Sequence, residues 1–410
     1  MSDPPHTAAL HAAPGAASQY ARIVAADQTA PRLDVDALLA DPATRIVVCC
    51  GAGGVGKTTT AAALGLRAAE QHGRRTVVLT IDPARRLAQS MGLTELDNTP
   101  RQVKGIDTEA TGGELHAMML DMKRTFDEVV QTHTTPERAA EIFANPFYQA
   151  MSSTFSGTQE YMAMEKLGQL RSRDEWDLIV VDTPPSRSAL DFLDAPARLS
   201  RFLDGRMLRL LMAPARTGGR SMFTLVTASF GIFSRVVQKV LGAQLLTDLS
   251  GFVAALDSMF GGFRQRADAT YRILQDRETA FLVVAAPERD AVREAAYFAE
   301  RLVAERMPLA GLVLNRVHRP AFESISQQDA AAAAIALDAA GDQQVTADAL
   351  RVHAALVAQT EREVRVAAQF TDAFPSVPAV AVTAQPADVH DVDGLRTIGD
   401  ALASGGPGGT

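Results

Sequence analysis

A chain of 410 residues, 47% hydrophobic and 21% charged, can bury a full core and has the balance of a soluble globular protein, as one large domain with an insertion or as two domains. Its formal net charge of -8 speaks against a protein that coats nucleic acid, so no nucleic-acid partner is expected. The longest near-apolar stretch, Met222 to Phe233, is short of a bilayer span and is flanked by Arg220 and Arg235, which argues against a transmembrane helix.

In chain order, the opening MSDPPHTAALHAAPGAASQ lacks a basic segment followed by an apolar run, so it does not read as a signal peptide. Its Ala/Pro content predicts a flexible tail over residues 1–40, and a domain over 41–404. The first β-type run, RIVVCC (Arg45 to Cys50), stops at a glycine. Its two cysteines are the chain's only ones, and as strand neighbours they point to opposite faces. They therefore make neither a CxxC zinc site nor an ordinary disulfide, and a reducing cytoplasm is the expected location.

A helical KTTTAAALGLRAAEQHG follows, then the runs TVVLTI (Thr76 to Ile81), LHAMML, WDLIVVD, FLVVAA, AGLVLN and VPAVAV. Strands this apolar are buried on both faces, and their separation by helical segments predicts an α/β fold with a doubly wound, mostly parallel sheet. Two stretches, about 123–173 and 187–277, supply no strands and look helical by period and length, which predicts an inserted helical subdomain at one edge of the sheet. Residues 327–345 are Ala-rich and read as a surface helix or linker, and 405–410 as a disordered tail.

The chemistry concentrates in CCGAGGVGKTTT, residues 49 to 60. Gly51, four residues, then Gly56-Lys57-Thr58 is the complete P-loop pattern, placed between a strand and a helix as the pattern requires. In such a loop the backbone N–H groups of Gly51, Ala52, Gly53, Gly54, Val55, Gly56, Lys57, Thr58 and Thr59 converge on ATP phosphates. Lys57 reaches the β- and γ-phosphates, and the Thr58 hydroxyl ligates Mg2+. A carboxylate near the metal is supplied by Asp182, at the end of the apolar run in WDLIVVDTPPS. Asp82, in LTIDPARRLAQS, has two local readings: a carboxylate that orients water for attack on the γ-phosphate, or a helix N-cap followed by Pro83.

GAGGVGKTT, TIDPA and VDTPPS in that order, with large helical insertions and a later LNRV, resemble the arsenical pump-driving ATPase family, which includes the guided-entry ATPases for tail-anchored membrane proteins. The resemblance implies a P-loop NTPase sheet plus a helical subdomain, acting as a nucleotide-sandwich dimer. It makes Asp82 the catalytic carboxylate of switch I and Asp182 the switch II aspartate. Asn315 matches the asparagine that reads adenine, and the segment around Pro386 resembles the loop covering the base.

The departures from the family pattern are specific. The second loop position is commonly a lysine that crosses the dimer to the partner's phosphates; here it is Ala52. Such a cation stabilises the transferring phosphoryl group, and a methyl does not replace it. Two arrangements answer this: a homodimer in which Arg85 or Arg86 substitutes, or the preferred heterodimer with a paralogous subunit carrying the lysine. In switch II, DTPPSRSA places Arg187 and Ser188 where glycine and histidine are common. Residues 198–240 carry eight Arg or Lys and one Asp among Leu, Met and Phe. That stretch either packs the insertion's own core or holds an apolar segment of a membrane-protein client. Thiolate binding of arsenite and a zinc site lack cysteines. Two further readings stand beside a Mg2+-dependent dimeric ATPase: a non-catalytic ATP-binding scaffold for an active paralogue, and a partitioning or division-site ATPase.

Overall fold

The computed structural model describes residues 31–81, 86–93, 96–145, 148–149, 158–184, 265–341 and 343–404. The tails 1–30 and 405–410, most of the second helical stretch, and the basic run 198–240 lie outside the described residues.

Among the described residues, eight strands form one sheet in the order β3-β4-β2-β5-β1-β6-β7-β8. In chain order they are β1 Ile46–Gly51, β2 Arg75–Thr80, β3 Arg101–Gln102, β4 Glu114–Met119, β5 Leu178–Asp182, β6 Thr279–Ala285, β7 Leu309–Val317 and β8 Ala379–Thr383. The pairing of β3 with β4 is antiparallel and every other neighbouring pair is parallel. Every residue of β1, β5 and β6 is buried, the double-faced burial their apolar sequences predict. The short β3 is exposed at the edge, and its polar Arg-Gln sequence gives no strand signal.

The helices are α1 Val35–Ala40, α2 Lys57–His72, α3 Arg86–Ser90, α4 Met122–His133, α5 Pro136–Ala144, α6 Thr158–Ser172, α7 over 265–275, α8 Arg289–Ala304, α9 Gln327–Ala340, α10 Gln344–Ala373 and α11 Val392–Ser404. Local chemistry sets several of their ends. Asp121 and Thr135 cap α4 and α5 through their side-chain oxygens, α5 opens on Pro136, and α2 stops at Gly73 with φ 63°.

The alternation along β1 sorts the core into two layers. Ile46, Val48 and Cys50 face one cluster with Phe126 of α4, Leu167 of α6, Phe298 of α8 and Phe370 of α10. Val47 and Cys49 face the other, with Leu39 of α1, Leu64 of α2 and Leu395 of α11. Helices on both faces of a mostly parallel sheet are the doubly wound α/β architecture.

One boundary is corrected. Residues 31–40 belong to the folded domain and not to the tail drawn over 1–40. The Leu33 N–H donates to the Ala379 carbonyl at 3.0 Å, and Leu33, Val35 and Leu39 are core residues. Arg67 of α2 grips the Asp36 carboxylate through two hydrogen bonds of 2.7 and 2.8 Å. The buried Arg74 guanidinium donates to the carbonyls of Leu39 (3.0 Å), Asp41 (3.2 Å) and Thr44 (2.6 Å). Composition alone cannot register anchors so distant in sequence. The Ala-rich stretch from residue 327 forms α9, which doubles back against the long α10 as a helical hairpin between β7 and β8.

Candidate nucleotide site

The turn from β1 into α2 is held by close backbone approach. Gly51 lies at φ 151°, and a Cβ there would sit 2.0 Å from the Val284 carbonyl oxygen on β6. Gly56 lies at φ 97°, and its Cβ would meet the Asn315 side-chain nitrogen at 2.2 Å. Any other residue at either position fills the space through which a neighbouring strand reaches the loop. Gly53 and Gly54 are exposed at the crest, Thr58 and Thr59 are half-buried, and Ala52 and Val55 tuck into the core layer beneath. Lys57, the first residue of α2, is buried, with its ammonium donating to the Ala52 carbonyl at 2.8 Å. The loop thus supplies its own acceptor for that charge.

Asp182 ends β5 between β1 and β2, in register with Cys49 on one side and Thr80 on the other. It is fully buried, and its Oδ2 accepts from the Thr58 hydroxyl at 2.8 Å and from the Thr80 hydroxyl at 2.9 Å. The next residue, Thr183, donates from its hydroxyl to the Cys49 carbonyl at 2.9 Å, locking the strand end against β1. Two threonine hydroxyls and an aspartate carboxylate at the head of α2 are hard oxygen donors, the set that Mg2+ takes. The residues present therefore fit such an ion.

Asn315, near the end of β7, is buried, and its side-chain amide donates to the Val55 carbonyl at 2.9 Å. The structure therefore brings Asn315 onto the loop itself. Pro386 is exposed three residues beyond the end of β8, the strand that neighbours β7. Asp82, Arg85, Arg187 and Ser188 lie outside the described residues, as does the side chain of Arg86. Burial pushes the Cys50 thiol up to about 12 and raises Cys49 as well, so both stay protonated and poor metalloid ligands.

Thr80 was not singled out by sequence reasoning. Its signal is positional: a hydroxyl two residues before Asp82, on the strand beside the one that ends in Asp182.

Fold and loop together define an α/β protein of the P-loop nucleoside-triphosphatase class. Comparison with known proteins narrows this, since the anion-transporting ATPase family matches residues 44–334. The chain belongs to that family. ATPase GET3B of Arabidopsis thaliana is 26% identical over 310 residues, which is 68% of this chain and 67% of that protein. ATPase ASNA1 homolog 1 of Paramecium tetraurelia is 25% identical over 274 residues, 66% of this chain and 74% of its own length. A putative arsenical pump-driving ATPase of Halobacterium salinarum is 32% identical over 187 residues, covering 43% of this chain and 27% of that protein. Family coverage includes Asn315 and stops within α9, so α10, β8 and Pro386 lie beyond it. Among the described residues, no helix is long and apolar enough to cross a membrane.

Proposed function

We propose that this chain binds ATP with Mg2+ and hydrolyses it as one subunit of a dimer, coupling nucleotide state to movement of a helical subdomain. The observation that carries the reading is the meeting of Thr58 and Asp182 at 2.8 Å, directly beside a loop whose Gly51 and Gly56 lie at φ 151° and 97°, where L side chains are strained. Lys57 exchanges the Ala52 carbonyl for β- and γ-phosphate oxygens, so its buried charge has an acceptor both before and after ATP enters. Backbone N–H groups of the loop and the amino end of α2 hold the phosphates. Mg2+ bound at Thr58, with Asp182 behind it, would neutralise charge developing on the phosphate oxygens. Asp82 is assigned the water-orienting role on family resemblance, as are Asn315 and Pro386 at the base.

Ala52 favours a heterodimer. Its methyl is buried in the core layer under the loop, so this chain lends no cation from that position. A paralogue bearing lysine there would complete the ATP site on this chain, while the partner's own site would lack the reciprocal charge. The same residue supports a second reading, a nucleotide-binding scaffold that does not turn over; the retained carboxylates Asp82 and Asp182 weigh against it.

Steady-state ATP hydrolysis by the purified chain, by Ala52→Lys and by Lys57→Ala as blank tests the proposal. Turnover only when lysine is restored identifies a missing trans cation and a lysine-bearing partner. Turnover by the native chain well above the blank removes the argument for a heterodimer. Nucleotide binding with no turnover in either form supports the scaffold.

A further inference from the structure

The last turn of β7 is held from outside the sheet. After Asn315 the pairing with β8 loses register, and Arg316 adopts φ 63°, a conformation that L side chains rarely take. A β-strand that twists this way needs its next residues fixed, or the side chain before the irregularity loses its aim. His318 is fixed at both backbone polar groups by one face of α10. Its N–H donates to Glu363 Oε2 at 2.8 Å, and its carbonyl lies 3.0 Å from the Thr360 hydroxyl, whose one proton it shares with the Leu356 carbonyl of α10 at the same distance. The other Glu363 oxygen lies 2.6 Å from His318 Nδ1 and accepts from the Gln359 amide at 2.9 Å. Glu363 and Thr360 are themselves buried, so neither is held in place by solvent.

We propose that Glu363 and Thr360 are positioning residues for base selection: by clamping His318 they fix the irregular end of β7, and so the direction in which Asn315 presents its amide over the loop. This rests on the reading of Asn315 as the residue that meets the base. An asparagine amide carries one acceptor and one donor side by side, matching the amino group and N7 of adenine, whereas guanine offers two acceptors there. Discrimination therefore depends on the orientation of one amide, and a loosened anchor relaxes the preference before it abolishes binding.

Equilibrium titration with ATP and with GTP, in Mg2+, of the native chain and of Asn315→Ala, Glu363→Ala, Glu363→Gln and Thr360→Val provides the test. The native chain prefers ATP. Asn315→Ala loses that preference. Glu363→Ala lowers the ATP-to-GTP affinity ratio by roughly fivefold, the worth of one oriented hydrogen bond. Glu363→Gln keeps an oxygen that accepts the His318 N–H and retains most of the ratio, and Thr360→Val falls between. Should Glu363→Ala lose its cooperative melting transition, Thr360→Val carries the comparison. An unchanged ratio in Glu363→Ala and Thr360→Val beside a collapsed one in Asn315→Ala overturns the positioning role alone. Equal loss of ATP and GTP affinity reduces the clamp to a fold-stabilising contact and also overturns it. No change in Asn315→Ala defeats the reading of Asn315 and the inference together.

Discussion

The turn between β1 and α2 is shaped by residues inside it. Gly51 and Gly56 allow Val284 and Asn315 to approach, and Lys57 caps the turn by bonding the Ala52 carbonyl. The turn after β7 is shaped by residues far along the chain, since the groups holding His318 come from α10, the second arm of the helical hairpin that follows it. The first kind of loop depends on glycines within its own short sequence, packed against neighbouring strands; the second depends on a helix docked correctly against the sheet. The proposed phosphate cradle corresponds to the first construction and the proposed base contact to the second.

That difference orders the expected effects of substitution. Gly51→Ala gives the largest, because its Cβ would lie 2.0 Å from a backbone carbonyl that belongs to the sheet. A cost above about 3 kcal/mol is expected, read as a lower urea midpoint or as insoluble protein. Gly54→Ala is its control: Gly54 has φ 76° but nothing within 4 Å of a Cβ, so only the backbone term of about 1 kcal/mol remains. Equal destabilisation by the two would contradict the claim that close approach dictates glycine at 51.

Thr80→Val comes next. It removes one hydroxyl donor from Asp182 while keeping the side chain's shape. A hydrogen bond to a charged acceptor is worth about 1.5–3 kcal/mol, so ATP binding in Mg2+ should weaken by about tenfold or more. Binding in EDTA should be unchanged and Thr80→Ser should restore the metal-dependent part. A loss independent of Mg2+ would place Thr80 in the fold and not at the metal.

The smallest effect is expected at the amino-terminal segment. Asp36 is lowered to about 2, chiefly by the hydrogen bond from Arg67, with burial opposing and His72 assisting. A depressed carboxylate contributes stability that is complete above its ordinary value near 3.8 and fades as pH falls toward 2. The Asp36 side chain is 42% exposed, so solvent screening limits the contribution to about 0.5–1 kcal/mol. Urea midpoints of Asp36→Asn and the native chain should differ at pH 7 and converge at pH 2. A difference that persists at pH 2 would assign the effect to packing.

Legibility in the sequence follows the same division. Seven apolar runs correspond to the parallel strands, and in β1, β5 and β6 burial on both faces accounts for uninterrupted apolar residues, whereas β4, β7 and β8 are partly exposed. The P-loop was legible because its constraint is local: glycines where backbone and side chain crowd, a lysine and a threonine at fixed offsets. Asp182 followed from the strand that ends in it. Strand β3 escaped because two exposed polar residues carry no periodic signal, and residues 31–40 were placed in the tail because Arg67 and Arg74 lie far from the segment they hold. Asn315 was reached only through resemblance, since one asparagine after an apolar run states nothing about what crosses over it. Thr80 and the Glu363 clamp are readable only once strands and helices are placed side by side.

The measurement that bears most directly on the account is a calorimetric titration of the native chain with ATP in the presence of Mg2+, set against Lys57→Ala. Saturable binding by the native chain that is lost, or weakened by at least about tenfold, in the variant is the predicted result. Absence of binding to the native chain, or equal affinity in both, would contradict the claim that the loop between β1 and α2 holds the phosphates.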